Sequence, residues 1–324
     1  MTWRFLAKRA LTLLLTLLAA SVLVFGVLEL LPGNAAQALM GPDAPSEAVA
    51  ALAEQLGLND SAARRYGHWL VGLLLHGDMG SSYAYSTPVA ALIAERLAVT
   101  VPLALLAFAL TLALALAAGV YAAARRGRAA DWLLMGLSQL GLAVPSFWLA
   151  IVLMWLFAIV LRWLPAGGFP GWGEGAGPAL RALILPAMAL AVVQAAILAR
   201  VTRAAVLEQM GEDFVRTARA KGLSRARVLW RHVLPNAGVP VLTVMGLQFA
   251  NLLAGTVVIE NVFTLPGLGR LIFQSIANRD LIVVRNCVLL LAALVVVVNF
   301  VVDLLTAAAD PRVRLGADED DALA

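Results

Sequence analysis

Charge is what this sequence has least of. Only 14% of its 324 residues are Asp, Glu, Lys or Arg, against about 25% in soluble domains, and the only lysines are Lys8 and Lys221. With 62% hydrophobic residues and a mean hydropathy of +0.88, the chain belongs in a bilayer. The three histidines, His68, His76 and His232, lie outside the apolar blocks, and no His-Glu-x-x-His pattern or buried Ser/His pair can be assembled, which argues against an intramembrane hydrolase. Neither lysine sits in a Gly-x-x-x-x-Gly-Lys-Ser/Thr loop, so this chain alone is not expected to hydrolyse ATP. A lone cysteine, Cys287, excludes an internal disulfide or a multi-cysteine metal site and reads as packing. The formal charge of +4 does not imply nucleic acid, because the basic residues are split among short segments between apolar blocks, as topology determinants are.

What is there is a series of apolar blocks, each near the roughly 20 residues a helix needs to cross a bilayer. They run over about Leu11–Leu31, Val99–Ala124, Trp132–Leu161, Ala182–Val206, Val239–Ile259 and Leu281–Ala308. The first is too long for the core of a cleaved signal and reads as a span. Pro145 and Pro186 should each remove a helix hydrogen bond and bend their spans. Arg125, Arg126 and Arg128 follow the second block, and Arg216, Arg219, Lys221, Arg225, Arg227 and Arg231 follow the fourth. Positive loops stay inside, so these loops and both termini are expected to be cytoplasmic, with Arg312 and Arg314 after the last span.

Residues 32–98 then fall outside, where Ser46 and Asp60 are expected to cap short helices stopping at Gly57 and near Gly77, and Thr87-Pro88 to open the helix into span 2. On the inside, Leu207, Met210, Phe214, Ala218 and Lys221 recur at helical spacing. Gly222 supplies a left-handed stop, and Ser224 caps a second helix with Val228, Leu229 and Val233 as apolar positions, ended by Pro235. A basic hairpin of this kind could lie on anionic lipid or grip another protein.

The spacing within the hairpin is distinctive. Arg216-Thr217-Ala218, then Gly222, then His232-Val233-Leu234-Pro235 resembles the signature loop of binding-protein-dependent ABC importer permeases, whose pattern is Glu-Ala-Ala, three residues, Gly, nine residues, Ile, one residue, Leu-Pro. Every interval is kept. Arg216 in place of Glu and His232 in place of Ile depart from the general pattern, but Arg-Thr-Ala-Arg-Ala-Lys-Gly is how the loop looks in the peptide and nickel branch. Leu56-Gly57-Leu58, Tyr66 with Trp69-Leu70, Gly77-Asp78-Met79-Gly80-Ser81-Ser82, Pro88-Val89, Glu95-Arg96-Leu97, Glu260-Asn261-Val262-Phe263, Pro266-Gly267-Leu268-Gly269-Arg270 and Asp310-Pro311-Arg312 are similar, in order, to the first of the two permease types in dipeptide, oligopeptide, glutathione and nickel importers.

The resemblance implies an all-α, polytopic membrane protein with six spans and the type I ABC importer permease fold. The expected organisation is an N-terminal span plus outer segment (1–94), a transmembrane domain (95–310) with a coupling loop at 206–237, and a disordered acidic tail (311–324). It implies an inner-membrane transport subunit, not an enzyme, that needs no cofactor of its own. ATP and magnesium would reside on two cytoplasmic ATPase subunits, a second related permease would complete the pathway, and an extracytoplasmic solute-binding protein would deliver the cargo. Arg216, Thr217, Ala218, Lys221, Gly222, Leu234 and Pro235 would couple to the ATPases. Glu260, Pro266, Gly267, Gly269, Arg270 and Asp78 would form an outer gate or docking surface, although turn formation suffices for Pro266–Arg270 and Asp78. Gln194, Gln248, Asn251 and Asn299 must face protein or water within the spans. Interhelical hydrogen bonding is the plainer role; lining the pathway is the other. An ion-coupled carrier is the rival, but it needs an ionisable residue near mid-membrane, whereas Glu29, Asp131, Arg162, Glu260 and Asp303 fall towards span ends.

Overall fold

Runs of leucine, alanine and valine adopt helix wherever water is excluded, because a helix satisfies its own backbone groups. The computed structural model describes residues 3–30, 37, 40–41, 44–55 and 59–309. Among these the structure is helical without strands, apart from an isolated antiparallel bridge between Ser81 and Pro88. The helices are α1 (Trp3–Glu29), α2 (Ser46–Gln55), α3 (Ala62–Val71), α4 (Val89–Ala124), α5 (Ala129–Ala143), α6 (Ser146–Met154), α7 (Ala176–Gly211), α8 (Asp213–Ala220), α9 (Arg225–Val228), α10 (Leu234–Val262), α11 (Leu268–Ala277) and α12 (Leu281–Ala309). π-Helical turns over Gly72–His76, Trp155–Val160 and Leu229–Val233 prolong α3, α6 and α9.

Among the described residues, five helical segments are long and apolar enough to cross a bilayer: Leu6–Glu29, Val89–Ala124, Ala176–Gly211, Arg225–Val262 and Leu281–Ala308. The predicted third span is not one bent helix. It is two, α5 and α6 with its π turn, set 103° apart, and counts as a sixth span only if both pieces are taken together. Pro145 is the cause: it forces Val144 into extended backbone (φ −92°, ψ 122°) and then caps α6, since proline excludes its predecessor from the helical region. Pro186, by contrast, lies inside the uninterrupted α7.

α7 is the axis of the bundle, with 67% of its most apolar stretch buried against 17% for α1. It meets α4 so closely that a Cβ on Gly119 would lie 2.6 Å from the Ala199 carbonyl oxygen. Leu103 and Leu106 of α4, Leu183 and Leu190 of α7, and Leu252 and Ile259 of α10 share one apolar core. Cys287 is fully buried in a smaller core with Val89, Leu268 and Leu271, the packing role expected of it.

The segment before α4 has helices where the sequence expects them, with three differences. Ser46 is the first residue of α2 rather than its cap, since the Val49 N–H donates to Pro45 O at 3.1 Å. Ser61, not Asp60, caps α3 by accepting from the Arg64 N–H, while Asp60 pairs with the Arg64 side chain at 3.2 Å. Pro88 is the N-cap rather than the first residue of α4, which then runs unbroken into the span. Gly77 (φ +63°) ends the α3 extension. This segment lies against the spans: Trp69 Nε1 donates to Asn286 Oδ1 at 3.2 Å, and Arg285 lies over the Trp69 ring at 4.4 Å. Leu56-Gly57-Leu58, Asp310-Pro311-Arg312 and the acidic tail lie outside the described residues.

Candidate functional site

At one end of the bundle the chain leaves α7 through Glu212, whose extended backbone (ψ 153°) separates α7 from α8. α8 closes in a Schellman motif: Gly222 takes φ +80°, its N–H donates to Arg219 O at 2.9 Å, and the Leu223 N–H donates to Ala218 O at 3.3 Å. Ser224 then caps α9, its Oγ accepting from the Arg227 N–H at 3.4 Å. The apolar positions point inward, with Val215, Ala218, Val228 and Val233 buried against Val206, Ala237 and Val241. Arg216, Thr217, Arg219, Lys221, Gly222, Arg225, Arg227, Arg231 and Pro235 are exposed, and Leu234 is half-buried. Lys221, predicted on the same helix side as Phe214 and Ala218, instead caps α8 and faces out.

Pro235 does not end the second helix as expected. α9, the π turn and α10 form one helix, Arg225–Val262, with Pro235 in the first turn of α10. The Leu234 N–H bonds five residues back to Leu229 O, and this widened frame accommodates a proline that a regular helix would resist. The hairpin is therefore a rigid extension of a span on one side and jointed at Glu212 on the other.

The same end carries an ion pair that the sequence did not disclose. Asp131, nearly buried at the start of α5, accepts from Arg203 Nε at 2.6 Å and Nη2 at 2.7 Å, and from the Gly127 N–H at 3.0 Å. Such a bidentate pair fixes the 125–128 turn to α7. The partners stand 72 positions apart, too far for spacing to reveal.

At the opposite end, Glu260 is fully buried in the last turns of α10 rather than exposed in a loop. Its carboxylate accepts from Thr100 Oγ1 at 2.6 Å and from the Gly269 N–H at 2.6 Å, and Thr100 Oγ1 accepts from the Leu268 N–H at 2.9 Å. A carboxylate at the start of α11 also suits the helix dipole. Gly267 and Gly269 have no alternative: a Cβ on Gly267 would lie 2.2 Å from the Glu260 carboxyl carbon, and one on Gly269 2.3 Å from Val257 Cα. Arg270 donates to Thr264 O at 2.6 Å, and Pro266 is half-buried. Asp78 is exposed and its Oδ1 accepts from the Gly80 N–H at 2.8 Å, the turn-forming arrangement. Among the described residues no hydrogen bond joins it to the Glu260 turn. Thr100 and the helix α11 escaped the sequence reading, since a threonine within an apolar run carries no signal of its partner.

In the spans, the side-chain carbonyl oxygens of Gln194 and Gln248 are buried without a hydrogen-bond partner among the described residues. Asn251 is exposed, on a stripe of α10 with Thr243, Leu247, Ala254 and Val258.

This bundle, with a basic helical hairpin built onto a span, has the architecture of an ABC transporter permease. It superposes on the inward-facing MetNI methionine ABC transporter with a TM-score of 0.54 at 17% identity, over 68% of this chain and 96% of that one. The chain belongs to the family described as "Binding-protein-dependent transport system inner membrane component", which matches residues 115–315, and the corresponding N-terminal component matches residues 2–104. Over 307 residues it is 46% identical to a Brucella abortus (strain 2308) protein named for a peptide transport system permease role, covering 95% of this chain and 98% of that one. It is 39% identical to the glutathione transport system permease protein GsiC of Salmonella typhimurium (96% and 98% covered) and 36% identical to the dipeptide transport system permease protein DppB of Alkalihalophilus pseudofirmus (95% and 98%). It is thus a multi-pass inner-membrane transport protein.

Proposed function

We propose that this chain is one of two related, non-identical permease subunits of an ABC importer for small peptides or a kindred solute such as glutathione or a nickel chelate. The basic end faces the cytoplasm with both termini, and the Glu260 end faces outward. Two ATPase subunits carry ATP and magnesium; this chain performs no catalysis. A solute-binding protein brings the cargo, and alternating access moves it across. The observation that carries this reading is the continuity of Arg225–Val262: a displacement of the exposed hairpin is passed along the α10 span without a flexible joint. An ion-coupled carrier would have no use for such an appendage.

The test is purification of the chain from detergent-solubilised membranes, intact and as Gly222→Pro, with mass spectrometry of what accompanies it. Proline cannot take φ +80° and lacks the N–H that bonds Arg219. A second six-span subunit and two phosphate-loop ATPases should accompany the intact chain, with the ATPases weakened by the substitution. A chain that purifies alone and still transports would establish the carrier instead.

A further inference from the structure

The loop between α6 and α7 holds a cleft at the Glu260 end, about 920 Å³, walled by Leu164, Phe169 and Pro170 and lined by two arginines, Arg162 and Arg181. Among the described residues its lining contains no aspartate or glutamate, so two arginines share an apolar-walled space with no acid of that lining beside them. The backbone of Arg162 and the side chain of Arg181 are constrained. Arg162 adopts φ +55°, a left-handed conformation that a side-chain-bearing residue rarely takes. The Arg181 guanidinium donates to the Trp163 carbonyl. The cleft floor is equally fixed: the Gly168 N–H donates to Phe263 O at 2.8 Å, and a Cβ on Gly167 would lie 2.6 Å from the same oxygen. Trp172 Nε1 ties the loop to Ala98 O at 2.7 Å. Beside the arginines, Trp163 is 60% exposed.

We propose that this cleft is a docking site for an acidic loop of the extracytoplasmic solute-binding protein, a carboxylate seating between Arg162 and Arg181 with Trp163 covered by the same loop. The proposal rests on the importer reading above and names the partner's chemistry. Arginine and tryptophan dominate the energetically important centres of protein interfaces. A pre-shaped cationic cleft recruits an acidic partner quickly and in one orientation, and a loop pinned to Phe263 loses little freedom on binding. Through Phe263 the cleft also touches the Glu260 turn, so docking bears directly on that end of α10. A phospholipid headgroup is the competing anion, but a headgroup needs no volume of this size.

The experiment uses the whole importer, purified through a tag on this chain and reconstituted in nanodiscs of phosphatidylethanolamine and phosphatidylglycerol. A photocrosslinking residue in place of Trp163 identifies the neighbour, and the captured binding protein's affinity is then measured against wild type and the Arg162→Glu/Arg181→Glu double variant at low and high salt. The expected result is crosslinking to a solute-binding protein at a segment bearing Asp or Glu. Affinity should fall at least about tenfold in the double variant, the scale of losing interface arginines, with a flatter salt dependence. Unchanged affinity, crosslinks only to phospholipid, or no crosslink would overturn the proposal. Co-purified ATPases report folding; if charge reversal disturbs them, Arg162→Gln/Arg181→Gln replaces it. Failure of this proposal leaves the ATPases bound to the wild type, whereas their absence there would sink the importer reading itself.

Discussion

Gly267 owes its identity to Glu260. Its missing Cβ is the space the buried carboxylate occupies, so Gly267→Ala must displace the carboxylate from Thr100 and the Gly269 N–H. A loss of about 2 kcal/mol or more is expected from such overpacking, read as a lower melting temperature of the solubilised protein. Gly238→Ala in α10, the helix that carries Glu260, has open space around it and should be neutral or better; equal losses at both would refute the Glu260 lock. Thr100→Val should cost about 1–3 kcal/mol, because it strips one donor from the carboxylate and the acceptor from the Leu268 N–H. At the other end, Asp131→Asn leaves Arg203, about a quarter exposed, without its anion and should destabilise by about 1–2 kcal/mol. The double variant Asp131→Asn/Arg203→Gln should recover part of that, which a thermal unfolding series would decide. In each case one partner could be suspected from the sequence and the other could not. Glu260 and Asp131 stand out as acids at span ends, while Thr100 and Arg203 are ordinary until folding brings them close.

Helix periodicity and cap residues place most elements correctly, because they act within a few positions of each other. The stop at Gly222 and the cap at Ser224 follow from local chemistry alone. The two prolines differ: the bend expected at Pro145 is a local effect, and the fate of Pro235 came from its context. Pro145 breaks its span by 103°, whereas Pro235 is absorbed by the π turn immediately before it. That turn absorbs one residue more than a regular helix, leaving the faces of α9 and α10 in register. Deleting Trp230 should restore α-helical bonding and set the Pro235 ring against the carbonyl one turn before it, at a cost of about 3 kcal/mol that Pro235→Ala in the same variant recovers. Thermal unfolding of the two deletion variants decides it; equal stability would show that the π turn has no part in accommodating the proline.

Taken as a whole, the molecule is an incomplete enclosure. α7 is wrapped on most sides, yet α10 leaves Thr243, Leu247, Asn251, Ala254 and Val258 exposed along one stripe, and an amide such as Asn251 is poorly suited to lipid. If the companion permease packs on this stripe, Leu247→Cys should crosslink to a cysteine on that subunit in intact membranes, with little background because Cys287 is fully buried. Crosslinking efficiency at Leu247 no greater than at Leu14 of α1, also exposed, would place the companion elsewhere. The sequence by itself determined the membrane class, the helical blocks, the basic hairpin and the family, since hydropathy, caps and motif spacing are properties of neighbouring residues. Only the tertiary structure decided that Glu260 is a buried lock rather than an outer-loop acid, that Asp131 belongs to Arg203, and that Arg162 and Arg181 share one cleft. Those features join residues far apart in the chain, and their energies exist only once packing has removed water and brought the partners within bonding distance.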